Sequence, residues 1–290
     1  MNNRKKIIVL GSNGQLGSEF KFDQNFNKTF DVISLDKSNC DILNFKETYK
    51  KISEFKPDYI INCAAYTKVD MAEINKDISN SINYIAVKNL AKISKILNSV
   101  LIHFSTDYVF DGSAKIPIKE DNLKKPINHY GFTKHLGEEA VVRSLSKFFI
   151  FRVSWVYGEY GTNFPKTMIE LLKKRNEISV VNDQVGCPTP TTMIVNVIIK
   201  IIKMNDNSDQ FGIFNLAPNG QCTWFDIADY ISKNKYPSKP IQINPVDSNF
   251  FKLDAERPKY SVLDNQKIIK TFDLRFKGWD EYLKTFLNKV

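Results

Sequence analysis

What this 290-residue chain lacks narrows it first. Cysteine is scarce. Cys40, Cys63, Cys187 and Cys222 lie far apart with no C-x-x-C pair, so they read as buried reduced thiols, and neither a disulfide framework nor a zinc site is expected. Histidine occurs three times, and no local run of His, Cys or carboxylates has the spacing of metal ligands. No apolar stretch approaches the roughly 20 residues that span a bilayer. The longest, 194–202, is broken by Asn196 and Lys200. The basic start Met1-Asn2-Asn3-Arg4-Lys5-Lys6 runs straight into a strand-like segment, without the apolar region and cleavage site of a signal peptide; a cytoplasmic location and no membrane partner are expected. Lysine blocks are missing too. The formal charge of +9 is spread along the chain, which argues against a nucleic-acid partner and leaves a positive field favouring phosphorylated small molecules.

At 42% hydrophobic content, the chain can bury a sizeable core. It opens on the apolar run Ile7-Ile8-Val9-Leu10, which leads directly into Gly11-Ser12-Asn13-Gly14-Gln15-Leu16-Gly17. In such a turn glycines remove the Cβ atoms that would block close backbone approach, and the following helix points free N–H groups at an anion such as a dinucleotide pyrophosphate. The spacing is one residue longer than G-x-G-x-x-G, so a tight turn without a ligand stays open. Strands are then predicted over 31–35, 58–62, 100–104 and 148–153, separated by helices over 44–54, 78–97 and about 128–143. This alternation implies right-handed crossovers and a parallel sheet covered on both faces, a Rossmann-type doubly wound α/β fold. Beyond Val153 the pattern weakens: 155–161, 184–191 and 236–258 read as irregular, while a helix over 191–204 and a strand over 212–215 return to the sheet. The expected division is a dinucleotide-binding Rossmann domain over 1–153 plus roughly 191–216, and a smaller C-terminal substrate-binding lobe over roughly 154–190 and 217–290.

Asp36 follows the second strand and lies 19 residues after Gly17, near the distance at which an acid reaches the adenosine ribose. Capping a turn is the other role open to it, and Lys37 beside it suits a 2′-phosphate, so NADH and NADPH both remain open. Asn62-Cys63-Ala64-Ala65 and Ser105-Thr106-Asp107-Tyr108 follow two sheet strands, and Tyr130-Gly131-Phe132-Thr133-Lys134 opens a helix. Tyr130 and Lys134, at i and i+4, share a helix face, so the ammonium is expected to lower the phenol from about 10 toward neutrality and make it a proton donor or acceptor. An exposed tyrosine above a lysine stem would show the same spacing.

Together these pieces resemble the extended short-chain dehydrogenase/reductase superfamily and, within it, the dTDP-4-dehydrorhamnose reductase family. The narrower resemblance rests on Asn62-Cys63-Ala64-Ala65-Tyr66-Thr67, Ser105-Thr106-Asp107-Tyr108-Val109-Phe110-Asp111-Gly112, Phe151-Arg152-Val153-Ser154-Trp155, Asn163-Phe164-Pro165-Lys166 and Asn182-Asp183-Gln184-Val185-Gly186-Cys187-Pro188-Thr189. It implies that Thr106, Tyr130 and Lys134 are catalytic. It makes Gly11, Asn13, Gly14, Gln15, Leu16, Gly17, Asp36, Asp41, Ile42, Ala64, Ala65 and Thr67, together with Tyr130 and Lys134, cofactor contacts. Asp107, Tyr108 and Trp155 would line the sugar pocket, with Arg257 on the nucleotide side; Trp155 packing the lobe and Asp107 capping a turn are the structural alternatives. The implied reaction is hydride transfer from NADPH or NADH to the C4 ketone of a dTDP-4-dehydro-6-deoxy-hexose, in making nucleotide sugars for cell-surface polysaccharide. A monomer or homodimer is expected. Some relatives use Mg²⁺, which here would need residues distant in sequence. A dehydratase of the same superfamily is disfavoured because its Thr-Asp-Glu pattern is Thr106-Asp107-Tyr108 here. A non-catalytic relative such as the regulatory subunit of methionine adenosyltransferase is disfavoured by the intact Tyr130 and Lys134.

Overall fold

The computed structural model describes residues 4–204 and 210–290; Met1 to Asn3 of the basic start and residues 205–209 of the expected 191–216 return segment lie outside the described residues. The strands in chain order are β1 (Lys6–Leu10), β2 (Asp31–Leu35), β3 (Tyr59–Asn62), β4 (Val100–Thr106), β5 (Phe148–Val153), β6 (Val156–Tyr157), β7 (Glu177–Val181), β8 (Val185–Gly186), β9 (Thr189–Pro190), β10 (Gly212–Asn215), β11 (Cys222–Thr223) and β12 (Gln242–Val246). The α-helices are α1 (Gln15–Phe22), α2 (Gln24–Thr29), α3 (Phe45–Phe55), α4 (Val69–Ile74), α5 (Lys76–Asn80), α6 (Val87–Leu97), α7 (His129–Ser144), α8 (Phe164–Lys174), α9 (Thr191–Met204), α10 (Trp224–Lys235), α11 (Gln266–Phe272) and α12 (Trp279–Leu287).

Six strands form one parallel sheet in the order β2-β1-β3-β4-β5-β10. From β1 the chain goes first to one side and then to the other, so the order reverses between β1 and β3. Gly11 and Cys63 follow those two strands, and an open α/β sheet binds ligands at such a switch point. Successive side chains on a strand point to opposite faces. Ile7 and Val9 accordingly enter one core with Phe20, Phe149, Phe151, Phe214 and the Ile194, Ile198 and Ile201 face of α9. Ile8 and Leu10 enter the other with Ile60, Leu101, Val87 and Leu90. Apolar residues on both faces give the near-continuous hydrophobic runs of a doubly covered sheet. A third core, separate from these, gathers Tyr157, Met168, Leu172, Ile178, Ile227, Ile231, Leu283 and Phe286 from β6, α8, β7, α10 and α12.

The structure departs from the sequence expectation in several places. The long helix expected over 78–97 consists of α5, a wider π-type stretch Ser81–Ala86, and α6. The helices α2 and α4 interrupt segments with too few apolar positions for a periodic signal. The three stretches expected to be irregular contain short strands: β6 pairs with β9, β8 with β11, and β12 with β7 in register Gln242↔Glu177. Two-residue strands carry no readable alternation, and Pro245 argues against a strand except in a short two-stranded pair such as this. Asn128 caps α7, its Oδ1 accepting the Gly131 N–H at 2.8 Å, and its amide donates to the Glu256 carbonyl at 2.7 Å.

Candidate active site

The glycine turn is built for close backbone approach. Gly11 has φ +75°, and a Cβ there would lie 2.6 Å from the Ala64 nitrogen; a Cβ on Gly17 would lie 2.2 Å from the Gly11 carbonyl oxygen. Gly14 starts α1 with no side-chain cap, which leaves the first backbone N–H groups available to an anion. Beside this turn is a cavity of about 260 Å³, lined by Gly11, Asn13, Gly14, Asp36, Lys37, Asp41, Ile42, Ala64 and Ala65. Asp36 both caps a turn and lines this cavity. Its Oδ1 accepts from Ser38 N at 2.8 Å and Ser38 Oγ at 2.6 Å, its Oδ2 accepts from Asn13 Nδ2 at 2.6 Å, and these bonds, the Ser38 hydroxyl first, hold the carboxyl below its usual range.

A second cavity of about 450 Å³ shares Gly14, Cys63, Ala64 and Ala65 with the first and extends to Leu16, Thr67, Thr106, Asp107, Tyr108, Tyr130, Lys134 and Trp155. Gln15 lines it but uses its side chain structurally, donating to the Val156 carbonyl at 2.9 Å and accepting from Asn163 Nδ2 at 2.7 Å. Gly17 lines neither cavity; it sits under the turn. Beyond the Tyr108 and Trp224 walls lies a third cavity of about 700 Å³ with Phe164, Arg175, Phe250 and Arg257. The second cavity shares walls with each of the other two and lies between them, at the carboxyl ends of the sheet strands.

Thr106 closes β4; its hydroxyl donates to Asp107 Oδ1 at 2.9 Å and accepts the Tyr108 N–H at 3.2 Å. Tyr130 lies in the first turn of α7, where its ring meets Tyr108 edge-on at 5.7 Å. Burial pushes its phenol up to about 12, against a lowering hydrogen bond with Thr106. Lys134 Nζ is turned into the sheet: it donates to the Phe104 carbonyl at 2.5 Å and stands 3.4 Å from His103 Nε2, and burial pushes it down to about 8. The expected lowering of the phenol by Lys134 is therefore corrected. The lysine is engaged behind β4, and burial outweighs everything else acting on Tyr130. Asp107 is pushed up to about 6 by burial, and its Oδ2 has no hydrogen-bond partner.

Arg257 forms a fork-to-fork pair with Asp70, Nη1–Oδ1 2.7 Å and Nη2–Oδ2 2.5 Å. Trp155 has φ +48°, a left-handed conformation that strains a bulky residue. Its indole stacks on Trp224 at 3.7 Å and 13°, and Trp224 Nε1 donates to Gln184 Oε1 at 3.0 Å. A Cβ on Gly186 would lie 2.5 Å from the Trp155 ring, so glycine is needed there. The sequence reading missed Trp224, although an aromatic residue opening a helix behind the capping box of Thr223 and Asp226 is a usable signal. Among the described residues no group of three or more His, Cys, Asp or Glu could hold a metal ion, so the structure adds nothing in support of Mg²⁺.

Residues 5–290 match the family of the RmlD substrate binding domain. The dTDP-4-dehydrorhamnose reductase of Salmonella typhimurium is 34% identical, the match covering 98% of this chain and 97% of that protein. Among solved structures, a dTDP-4-dehydrorhamnose reductase from Bacillus anthracis in complex with NADP is 37% identical with a TM-score of 0.93, the match covering 99% of this chain and 100% of that one. One from Clostridium acetobutylicum is 39% identical with a TM-score of 0.91, covering 98% and 99%.

Proposed function

From the premise that this chain belongs to the RmlD substrate binding domain family, we propose that it is an NAD(P)H-dependent oxidoreductase reducing the C4 ketone of dTDP-4-dehydro-6-deoxy-L-mannose to give dTDP-L-rhamnose. One observation carries the reading: Thr106, Tyr130 and Lys134 share a cavity continuous with a glycine turn that only a bare backbone can form. The nicotinamide supplies the hydride. Tyr130 keeps its proton at neutral pH and gives it to the oxygen of the reduced ketone, while the Thr106 hydroxyl beside it turns its proton from Asp107 Oδ1 to the same oxygen as charge develops. Lys134 serves the nicotinamide ribose from the same wall of the cavity.

On the sugar side, Tyr108 and Trp155 offer flat apolar faces to the deoxysugar, Asp107 shapes the floor, and Arg257 serves the nucleotide end. Gly11, Gly14 and Gly17 shape the pyrophosphate turn, with Asn13, Gln15 and Leu16 supplying its backbone. Asp36, Asp41 and Ile42 surround the adenosine, and Ala64, Ala65 and Thr67 line the passage to the nicotinamide. Asp36 is already occupied by Ser38 and Asn13 and has Lys37 beside it, which favours acceptance of NADPH as well as NADH. We read 1–153 plus roughly 191–216 as the cofactor domain and the rest as the sugar lobe, and place the reaction in the cytoplasm. No helix among the described residues is long and apolar enough to cross a membrane.

Elimination is a poorer fit. A dehydratase needs a carboxylic acid beside the threonine, where Tyr108 stands here. The test is NADPH oxidation by the purified chain with dTDP-4-dehydro-L-rhamnose beside its D-xylo isomer. Turnover of the first alone is expected, and turnover of neither overturns the proposal.

A further inference from the structure

Gln15, the first residue of α1 and part of the glycine turn, sends its side chain across to the lobe. Its Nε2 donates to the Val156 carbonyl at 2.9 Å and its Oε1 accepts from Asn163 Nδ2 at 2.7 Å, partners 141 and 148 residues away. Neither amide can be turned over. A carbonyl cannot donate, so Gln15 must present its Nε2 to Val156. Asn163 is fixed separately by the backbone on either side of it: its Nδ2 donates to the Gly158 carbonyl at 2.8 Å and its Oδ1 accepts the Lys166 N–H at 3.2 Å. The two assignments agree, which leaves one consistent network. A carboxylate at position 15 would have no donor for Val156, and a lysine no acceptor for Asn163.

The residue before Val156 is Trp155, whose left-handed backbone persists only if its surroundings hold it. The Thr189 N–H donates to the Trp155 carbonyl at 3.3 Å, and Gln15 holds the carbonyl that follows. Further along the same segment, the Tyr160 ring lies 5.2 Å from Phe22 of α1. The wall of the catalytic cavity that carries Trp155 is therefore fastened to the helix that starts at the glycine turn. We infer that Gln15 is a positioning residue for the sugar side, holding the Trp155 elbow through Val156 with Asn163 as its partner in the lobe. The pyrophosphate turn draws on the backbone of residue 15, so the two tasks do not compete.

This inference rests on Trp155 facing the sugar nucleotide. Gln15→Met keeps the length of the side chain and removes both its donor and its acceptor. Asn163→Ser keeps a cap for α8 and removes the reach to Gln15. In each variant KM for the sugar nucleotide should rise about tenfold, the effect of one ordinary hydrogen bond lost, while Kd for NADPH stays within about twofold. The double variant should be no worse than the worse single one, since either change opens the same joint. A second readout needs neither cofactor nor substrate. Of the three tryptophans, Trp155 and Trp224 are stacked, a geometry that gives an exciton couplet in far-ultraviolet circular dichroism; the couplet should weaken in both variants with the helix signal retained. If the wild type turns over no sugar nucleotide, the reaction assignment fails and the couplet decides this inference, an unchanged couplet overturning it. If the wild type does turn over, KM decides. A KM within about twofold of wild type in the folded variants, an NADPH affinity that falls as far as the sugar affinity, or single effects that multiply in the double variant overturns the inference and leaves the reaction assignment standing. A lower melting temperature with KM unmoved is the mark of a brace alone, and it too overturns the inference.

Discussion

Arg152→Met should be among the most damaging single changes in the chain, though Arg152 touches none of the three cavities. The guanidinium is fully buried on β5 and its partner Glu138 is 2% exposed on α7. Arg152 donates from Nε to Glu138 Oε1 at 2.9 Å, from Nη2 to Oε2 at 2.7 Å, and from Nη1 to the Glu120 carbonyl at 2.9 Å, with the Phe110 ring 5.1 Å from the guanidinium carbon. Removing the cation leaves a carboxylate in the interior with no opposite charge, a change that costs about 3–5 kcal/mol in buried pairs. Against a total stability of about 5–15 kcal/mol, that is at least a fifth of the whole. The pair as a unit is worth far less, because two charges were desolvated to form it. The double variant Arg152→Met with Glu138→Leu should therefore be more stable than Arg152→Met alone. Urea unfolding of the wild type, both single variants and the double gives the coupling directly. If Arg152→Met costs under about 1 kcal/mol, or the single losses simply add in the double, the reasoning fails.

Tyr130→Phe keeps the ring and removes only the hydroxyl, so turnover should fall by roughly 10²–10⁴ with cofactor affinity retained; near-normal turnover would remove Tyr130 from the role of proton donor. For Asp107 the folded value of about 6 lies above the unfolded one, so the folded state binds more protons between the two; that stabilisation is complete below pH about 4 and is lost as pH rises through 6. Asp107→Asn should remove this slope, a difference of about 3 kcal/mol between the ends of the window, and urea midpoints of the variant that still differ between pH 4 and 7 as much as in the wild type would refute it. Gly186→Ala should displace the Trp155 ring and raise KM for the sugar nucleotide while cofactor affinity holds; an unchanged KM would show that Trp155 only braces the lobe.

The parallel sheet was legible because its signals are local. Apolar runs such as Ile7 to Leu10 and Phe148–Val153 give strands, and the helical spacing between them gives crossovers. Thr106, Tyr130 and Lys134 were found as motifs, and the structure brings them to one cavity. Partnerships across the fold were not legible. Nothing near Lys134 in sequence shows that Nζ turns back to the Phe104 carbonyl and His103, contacts 30 and 31 residues away, and so the direction in which Tyr130 is shifted came out reversed. Trp155 was singled out, but its stack on Trp224 joins residues on separate elements. The turn-capping role of Asp36 was among the readings of the sequence because Lys37 and Ser38 follow it in a turn-like stretch, and Ser38 does donate to its carboxylate.

The path of the chain between its cores bears on how the molecule comes apart. After β5 it leaves the main sheet to build β6, α8 and β7, returns with α9 and β10 to complete the sheet, and departs again for α10 and β12. Neither half is a contiguous stretch that could be cut out. A fragment ending at Val153 would leave β5 as a bare edge and strip the Phe149 and Phe151 face of its α9 cover, making it a strand-pairing hazard instead of a smaller folded protein. Threaded in this way, the sheet and the lobe are expected to melt in a single cooperative transition, with coincident loss of helix signal and of tryptophan burial at Trp155 and Trp224.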